Sequence, residues 1–131
     1  MASNMTLYLD TCALLWYLFE PEQLSRKASI AIEKSTLLQM SSISFWEIGI
    51  KLKNKTLSLP LNIENLSELC RQAENLNVRS IDDKLWIQSL AIDWKHKDPA
   101  DRLIVADSKL AKAPLITSDK IIRKFYKNCI W

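Results

Sequence analysis

The sequence predicts an α/β domain built on a mainly parallel sheet. Short apolar runs suited to buried strands alternate along the chain with longer amphipathic runs suited to helices. Two of the strand-like runs end in an aspartate, Asp10 and Asp119, at the carboxyl ends where ligands gather in such sheets. With 131 residues, 48% hydrophobic and 25% charged, the chain suits one domain over residues 1–131, with a core large enough to need no disulfide or metal for folding.

The elements follow in order. "TLYLD" reads as a buried strand that delivers Asp10 at its carboxyl end, and "CALLWYLF" as the helix after it. "LSRKASIAIEK" is a second helix and "TLLQMSS" a second strand. "ISFWEIGIKLKNK" places Ile43, Trp46 and Ile50 on one side, joined by Phe45, Ile48 and Leu52, as a largely buried helix would. Pro60 closes that unit. A helix over "IENLSELCRQAENL" precedes a third strand, "NVRSI", and "DKLWIQSLAIDW" is again amphipathic. "HKDPADRLIVADSKL" opens a helix at Pro99, "APLITSD" is a strand ending at Asp119, "KIIRKFYKN" forms a helical turn or two, and "CIW" is a last edge strand.

Several function classes are excluded early. The only glycine is Gly49, so neither kind of glycine-rich phosphate loop is available. The lone His96 leaves little room for a histidine triad or a multi-histidine metal site. Cys12, Cys70 and Cys129 are odd in number and widely spaced, which fits buried, reduced thiols rather than a disulfide framework or a zinc site. The apolar segment "TLYLDTCALLWYLF" is interrupted by Asp10, lacks a preceding basic residue and is too short to span a bilayer. A soluble cytoplasmic protein with no membrane association is expected.

The acidic residues have two readings. Asp98 before Pro99 has the form of an N-cap, and Asp101, as the third helical residue, suits the positive end of the helix dipole. Asp10 and Asp119 also precede helices and can be simple caps. Glu47 resists that reading, because it sits within a helix between the apolar Trp46 and Ile48, although Lys51 one turn on is available as an i,i+4 partner. If Asp10, Glu47, Asp101 and Asp119 converge, each carboxylate pair at about 6 Å repels by roughly 3 kcal/mol at an effective dielectric of 20. Such a cluster calls for a divalent cation, and oxygen donors suit Mg²⁺ or Mn²⁺.

Four blocks carry a family resemblance. "YLDTCALLW", "SSISFWEIGIK", "HKDPADRLIVADS" and "LITSD", in that order, resemble the PIN-domain ribonucleases, especially the VapC-like toxins of type II toxin–antitoxin pairs, from Leu7 to the "CIW" end. The resemblance implies a three-layer α/β/α sandwich with a central mainly parallel sheet. It also implies Asp10, Glu47, Asp101 and Asp119 as catalytic and metal-binding residues, with Asp98 beside them as a cap, an outer ligand or both. Family members often carry histidine where this chain has Cys12, and a bulky apolar residue where it has Ala100; neither position is a metal ligand.

The implied activity is Mg²⁺- or Mn²⁺-dependent hydrolysis of RNA phosphodiester bonds, in which the cation activates water and stabilises the leaving oxygen. Glu47 or Asp119 is placed to orient the water, and Ser44 and Thr117 to hydrogen-bond a carboxylate or the phosphate, unless they serve ordinary structural bonds. The implied partners are an RNA substrate, a cognate antitoxin and a second copy in a homodimer. Lys120, Arg123, Lys124 and Lys127 fall on one helical face after Asp119, with Ile121, Ile122 and Phe125 elsewhere, as either a solvated face or a substrate track. The five tryptophans are read mostly as core residues, with Trp16 or Trp46 available to line an antitoxin groove. The alternatives are a catalytically inactive PIN-fold binding module and a magnesium-dependent phosphatase-type hydrolase. Phosphatases of the haloacid type require a D-x-D after the first strand, and "LDTCA" carries no second aspartate.

Overall fold

A computed structural model describes residues 5–131. Five strands, β1 (Thr6–Leu9), β2 (Leu37–Ser41), β3 (Leu76–Arg79), β4 (Leu115–Ile116) and β5 (Cys129–Ile130), form one sheet in the order β3-β2-β1-β4-β5. All four pairings are parallel. Seven α-helices join them: α1 (Thr11–Phe19), α2 (Arg26–Lys34), α3 (Ile43–Lys53), α4 (Ile63–Gln72), α5 (Asp83–Ala91), α6 (Pro99–Ala111) and α7 (Lys120–Phe125), with a short 3-10 turn at Pro21–Gln23.

The two-residue period of β1 sorts the chain into layers. Leu7 and Leu9 enter one core with Leu14, Leu38, Ile48 and Leu66, from the side covered by α1 to α4. Tyr8, between them, enters the other with Ile104, Val105, Leu115 and Ile122, under α6 and α7. Leu7, Tyr8 and Leu9 are all 0% exposed, as a central strand covered on both faces requires. The expected α/β/α sandwich is therefore present, with "CIW" at its edge as β5.

Helix starts follow local side-chain chemistry. Asp10, Ser25, Asn62, Asp82, Asp98 and Asp119 each accept a backbone N–H at the head of a helix. The exception is α3, whose first residue, Ile43, donates its amide to Ser41 Oγ at 3.1 Å. The chain runs outward from β1 to β3 and then returns to place β4 on the other side of β1. That reversal opens a crevice beyond the carboxyl ends of β1 and β4, where Asp10 and Asp119 stand.

Four expectations require correction. α4 stops at Gln72 rather than running to Leu76, because Ala73 turns extended and Leu76, only 5% exposed, joins the sheet instead. α3 is not largely buried: Ser44 and Ile48 are its buried residues, while Trp46 is 65% and Ile50 42% exposed. No tryptophan is fully buried, since Trp46 and Trp86 are exposed and Trp16, Trp94 and Trp131 are half-buried, Trp94 and Trp131 at the margins of the cores. The basic face after Asp119 is also interrupted. α7 ends at Phe125, because Tyr126 turns extended to bury its ring, so Lys127 lies off the helix while Arg123 is half-buried.

The three cysteines are free, as expected, but only Cys70 is buried. Cys129 is half-buried and Cys12 is exposed, on the first turn of α1 where the helix meets the crevice. Among the described residues no helix is long and apolar enough to cross a membrane.

Candidate active site

An open cavity of about 260 Å³ lies at the carboxyl ends of β1 and β4. Asp10, Glu47, Asp98, Asp101 and Asp119 all line it, together with Thr11, Cys12, Lys51 and Ser118. The four expected acids and Asp98 are thus brought together. Ser44 and Thr117 are fully buried beneath them.

Three of these aspartates are caps as well as cavity residues. Asp10 Oδ1 accepts the Ala13 amide at 2.8 Å, and Asp98 Oδ1 accepts the Asp101 amide at 3.0 Å. Asp119 Oδ1 accepts from Ile121 and Ile122 at 2.8 and 3.1 Å, while its own amide donates to Thr117 Oγ1 at 3.1 Å. In each, the cap engages one carboxylate oxygen only, so capping does not by itself exclude a part in site chemistry. Asp101 differs. Its carboxylate caps nothing, and its Oδ2 meets His96 Nε2 at 2.8 Å.

Glu47 is held from across the crevice. Thr11 Oγ1 donates to Glu47 Oε1, and the same hydroxyl lies 2.8 Å from Ser44 Oγ. Thr11 has one proton to give, so Ser44 donates to Thr11 and the relay runs Ser44 to Thr11 to Glu47. Lys51 makes no ion pair with Glu47, although it lines the same cavity. Thr11→Val keeps the shape and removes the hydroxyl, so Glu47 is expected to titrate at higher pH in the variant. A carboxyl carbon NMR titration measures this, and an unchanged Glu47 midpoint would discount the relay.

The electrostatics record an uncompensated acidic cluster. Burial, reinforced by Asp101 and Asp119, raises the pKa of Asp10 to about 6, against the opposing pull of Thr117 and the Ala13 amide. Burial likewise raises Glu47, with Asp101 and Asp98 adding to the effect and Thr11 and Lys51 opposing it. Asp101 is raised by burial and by Asp98 and Asp119, while the His96 contact lowers it. Carboxylates that lift one another's pKa in a water-accessible cavity fit a hard divalent cation, and Asp10, Glu47, Asp101 and Asp119 are the residues that would hold it.

The sequence reading missed three groups here. His96 was set aside as a lone histidine, yet it, Asp98 and Asp101 offer ligand atoms within 4.8 Å of one another. His96 is therefore a neighbour of the acids that the sequence reading did not place, with its Nε2 engaged by Asp101 Oδ2. Thr11 gave no signal, because its partner lies 36 residues away. Arg102, within "HKDPADRLIVADS", carried no role in that reading.

Comparison with known proteins agrees with this architecture. The family profile described as "PIN domain" matches residues 7–128. Ribonuclease VapC22 of Mycobacterium tuberculosis is 31% identical over 119 residues, 90% of this chain and 90% of that protein. A chain of a toxin–antitoxin complex from Klebsiella pneumoniae shares the fold, with a TM-score of 0.66 and 20% identity over 95% of this chain and 96% of that one. A profile spanning nearly the whole sequence, and a relative above 30% identity over most of it, agree with the acid-lined crevice: this chain belongs to the PIN-domain family.

Proposed function

We propose that the protein is a Mg²⁺- or Mn²⁺-dependent endoribonuclease of the cytoplasm and the toxin of a toxin–antitoxin pair. The observation that carries this reading is the meeting of Asp10, Glu47, Asp101 and Asp119 on one open cavity at the topological switch point of a PIN-family sheet. Its relative from Mycobacterium tuberculosis is named a ribonuclease, and its fold neighbour comes from a toxin–antitoxin complex.

When bound, the divalent cation supplies charge neutralisation of the phosphate and activation of water. The protein's own residues do the rest. Asp10, Asp101 and Asp119, each fixed by its helix start or by His96, would hold the cation together with Glu47. Glu47, steadied by Thr11 and shifted upward in pKa, would take the proton of the attacking water as its oxygen bonds to phosphorus, while the bond to the ribose oxygen breaks and that oxygen leaves with a proton from solvent. Lys51 and Ser118 at the cavity wall meet the phosphate oxygens.

The antitoxin approaches beside the acids. Trp46 and Pro99, sequence neighbours of Glu47 and Asp98, line an apolar cleft of about 320 Å³ with Ile43, Trp86 and Ala100. An amphipathic helix fits such a cleft and can send a basic side chain among the carboxylates. Trp16, the other candidate, instead packs on Trp131 with ring centres 5.6 Å apart. The exposed Ile87, Leu90 and Leu110 on α5 and α6 supply an apolar face for a homodimer.

Purified protein is expected to cleave single-stranded RNA with Mg²⁺ or Mn²⁺ and to stop on addition of EDTA. Cleavage that survives complete chelation would sink the metal-dependent mechanism. Expressed alone, the wild type is expected to arrest growth while Asp10→Ala does not. Equal arrest by both would separate toxicity from the acidic site, and arrest by neither would end the toxin reading.

A further inference from the structure

Arg102 sits beside Asp101 in sequence yet does not line the acidic cavity. Its guanidinium turns the other way and spends all its donors on main-chain oxygens. Nε donates to Ser89 at 3.0 Å, Nη1 to Trp94 at 2.5 Å and His96 at 3.0 Å, and Nη2 to Ile92 at 2.6 Å and Leu90 at 3.3 Å. A guanidinium has five N–H groups, so every one is used. No carboxylate is among its partners.

Those acceptors have a pattern. Ser89 and Leu90 lie in the last turn of α5, whose cap residue Ile92 is extended, so Arg102 satisfies carbonyls that the helix end leaves open. Trp94 and His96 belong to the connection from α5 to α6, which has no helix or strand of its own. Trp94 then stacks on Phe125 of α7 with ring centres 4.5 Å apart and planes 6° from parallel, and it also packs on His96. At the end of this chain of contacts, His96 Nε2 meets Asp101 Oδ2 at 2.8 Å.

We propose that Arg102 is a positioning residue for the acidic centre: by gathering five carbonyls it folds the connection onto α6 so that His96 orients the Asp101 carboxylate for the cation. The inference rests on the cation-site reading and extends it. Lysine in this place would present one point charge with three donors and could not serve five acceptors spread over eight residues. Partners that orient a metal-binding group from outside are worth about 10–100-fold in metal affinity.

Mn²⁺ titration by calorimetry and hydrogen exchange of the metal-free protein, both on the full chain, test this. His96→Ala is expected to weaken Mn²⁺ binding about 10–100-fold, and His96→Gln, which keeps a side-chain N–H, to recover most of the loss. Arg102→Lys is expected to weaken binding by a similar factor and to speed amide exchange in residues 92–98 while the interior of α6 stays protected. The double variant His96→Ala/Arg102→Lys should bind no more weakly than the worse single variant, because one residue acts through the other. Unchanged affinity in His96→Ala, unchanged exchange over 92–98 in Arg102→Lys, or losses that multiply in the double variant would each overturn the proposal. If Arg102→Lys does not fold, the His96→Ala and His96→Gln pair decides. Wild type that binds no Mn²⁺ at all would instead bring down the cation-site reading itself.

Discussion

Asp10→Asn is expected to cut RNA cleavage by about 10³-fold or more, beyond the 10–100-fold cost of losing an outer partner, while raising the melting temperature of the metal-free protein at pH 7. Asparagine caps a helix as well as aspartate does, so the bond from the Ala13 amide at 2.8 Å survives the exchange. What disappears is a buried charge facing Asp101 and Asp119. An effect on activity with no loss of stability separates a site carboxylate from a structural cap. Unchanged cleavage would remove Asp10 from the centre, and lost cleavage with a lowered melting temperature would assign it to folding.

The sign of the stability change follows from the pKa. Asp10 moves from 3.8 to about 6 on folding, chiefly through burial, so between those values the folded state binds more protons than the unfolded one. Stability from this group is full below pH 3.8 and is lost as pH rises through about 6. A shift of this size corresponds to about 3 kcal/mol. Glu47 and Asp101 are raised as well and act in the same direction. The metal-free wild type should therefore show a falling urea midpoint between pH 4 and 6.5, with a shallower fall in Asp10→Asn. Mn²⁺ bound only to the folded state should restore it by mass action. A midpoint that rises over this range would contradict the account.

What could be read from sequence was what local chemistry decides. Asp10, Asp98 and Asp119 were legible because each follows a strand-like run or precedes a proline and a helix, and those short signals place a carboxylate at a strand end or a helix start whatever the rest of the chain does. Glu47 was legible because a charge among apolar helical neighbours needs a reason. Trp46 misled for the same reason in reverse: helical spacing marks an apolar stripe, and a stripe left exposed has the same spacing as one that enters the core. Arg102 and His96 escaped because their partners are main-chain oxygens and a carboxylate reached through an irregular connection, which no periodicity reports. Asp107 escaped for a further reason, since one of its partners is 99 residues away.

Asp107→Ala is expected to destabilise the fold by about 3–5 kcal/mol, the cost of breaking a buried charge pair from one side. Asp107, 1% exposed on α6, accepts from the Tyr8 hydroxyl at 2.5 Å and from Arg79 Nε and Nη2 at 2.9 and 3.0 Å. Tyr8 is on the central strand and Arg79 ends β3, so one carboxylate ties the helix that carries Asp101 to the sheet that carries Asp10. Burial, and then the Asp107 carboxylate, hold the Tyr8 phenol protonated as a donor. Alanine would leave that buried hydroxyl without the carboxylate that accepts its proton, and Arg79, with only 25% of its side chain exposed, without its counter-charge. Asp107→Asn can still accept the Tyr8 proton and should cost less, and Tyr8→Phe, which loses one neutral donor, about 1–2 kcal/mol. The order Asp107→Ala, then Asp107→Asn, then Tyr8→Phe in urea midpoints at constant slope is the expected result. A loss within 1 kcal/mol for Asp107→Ala would mean that desolvation cancels the pairing, as it does in some buried ion pairs, and that apolar packing, chiefly Ile104 and Val105 against Tyr8 and Leu115, holds α6 on the sheet.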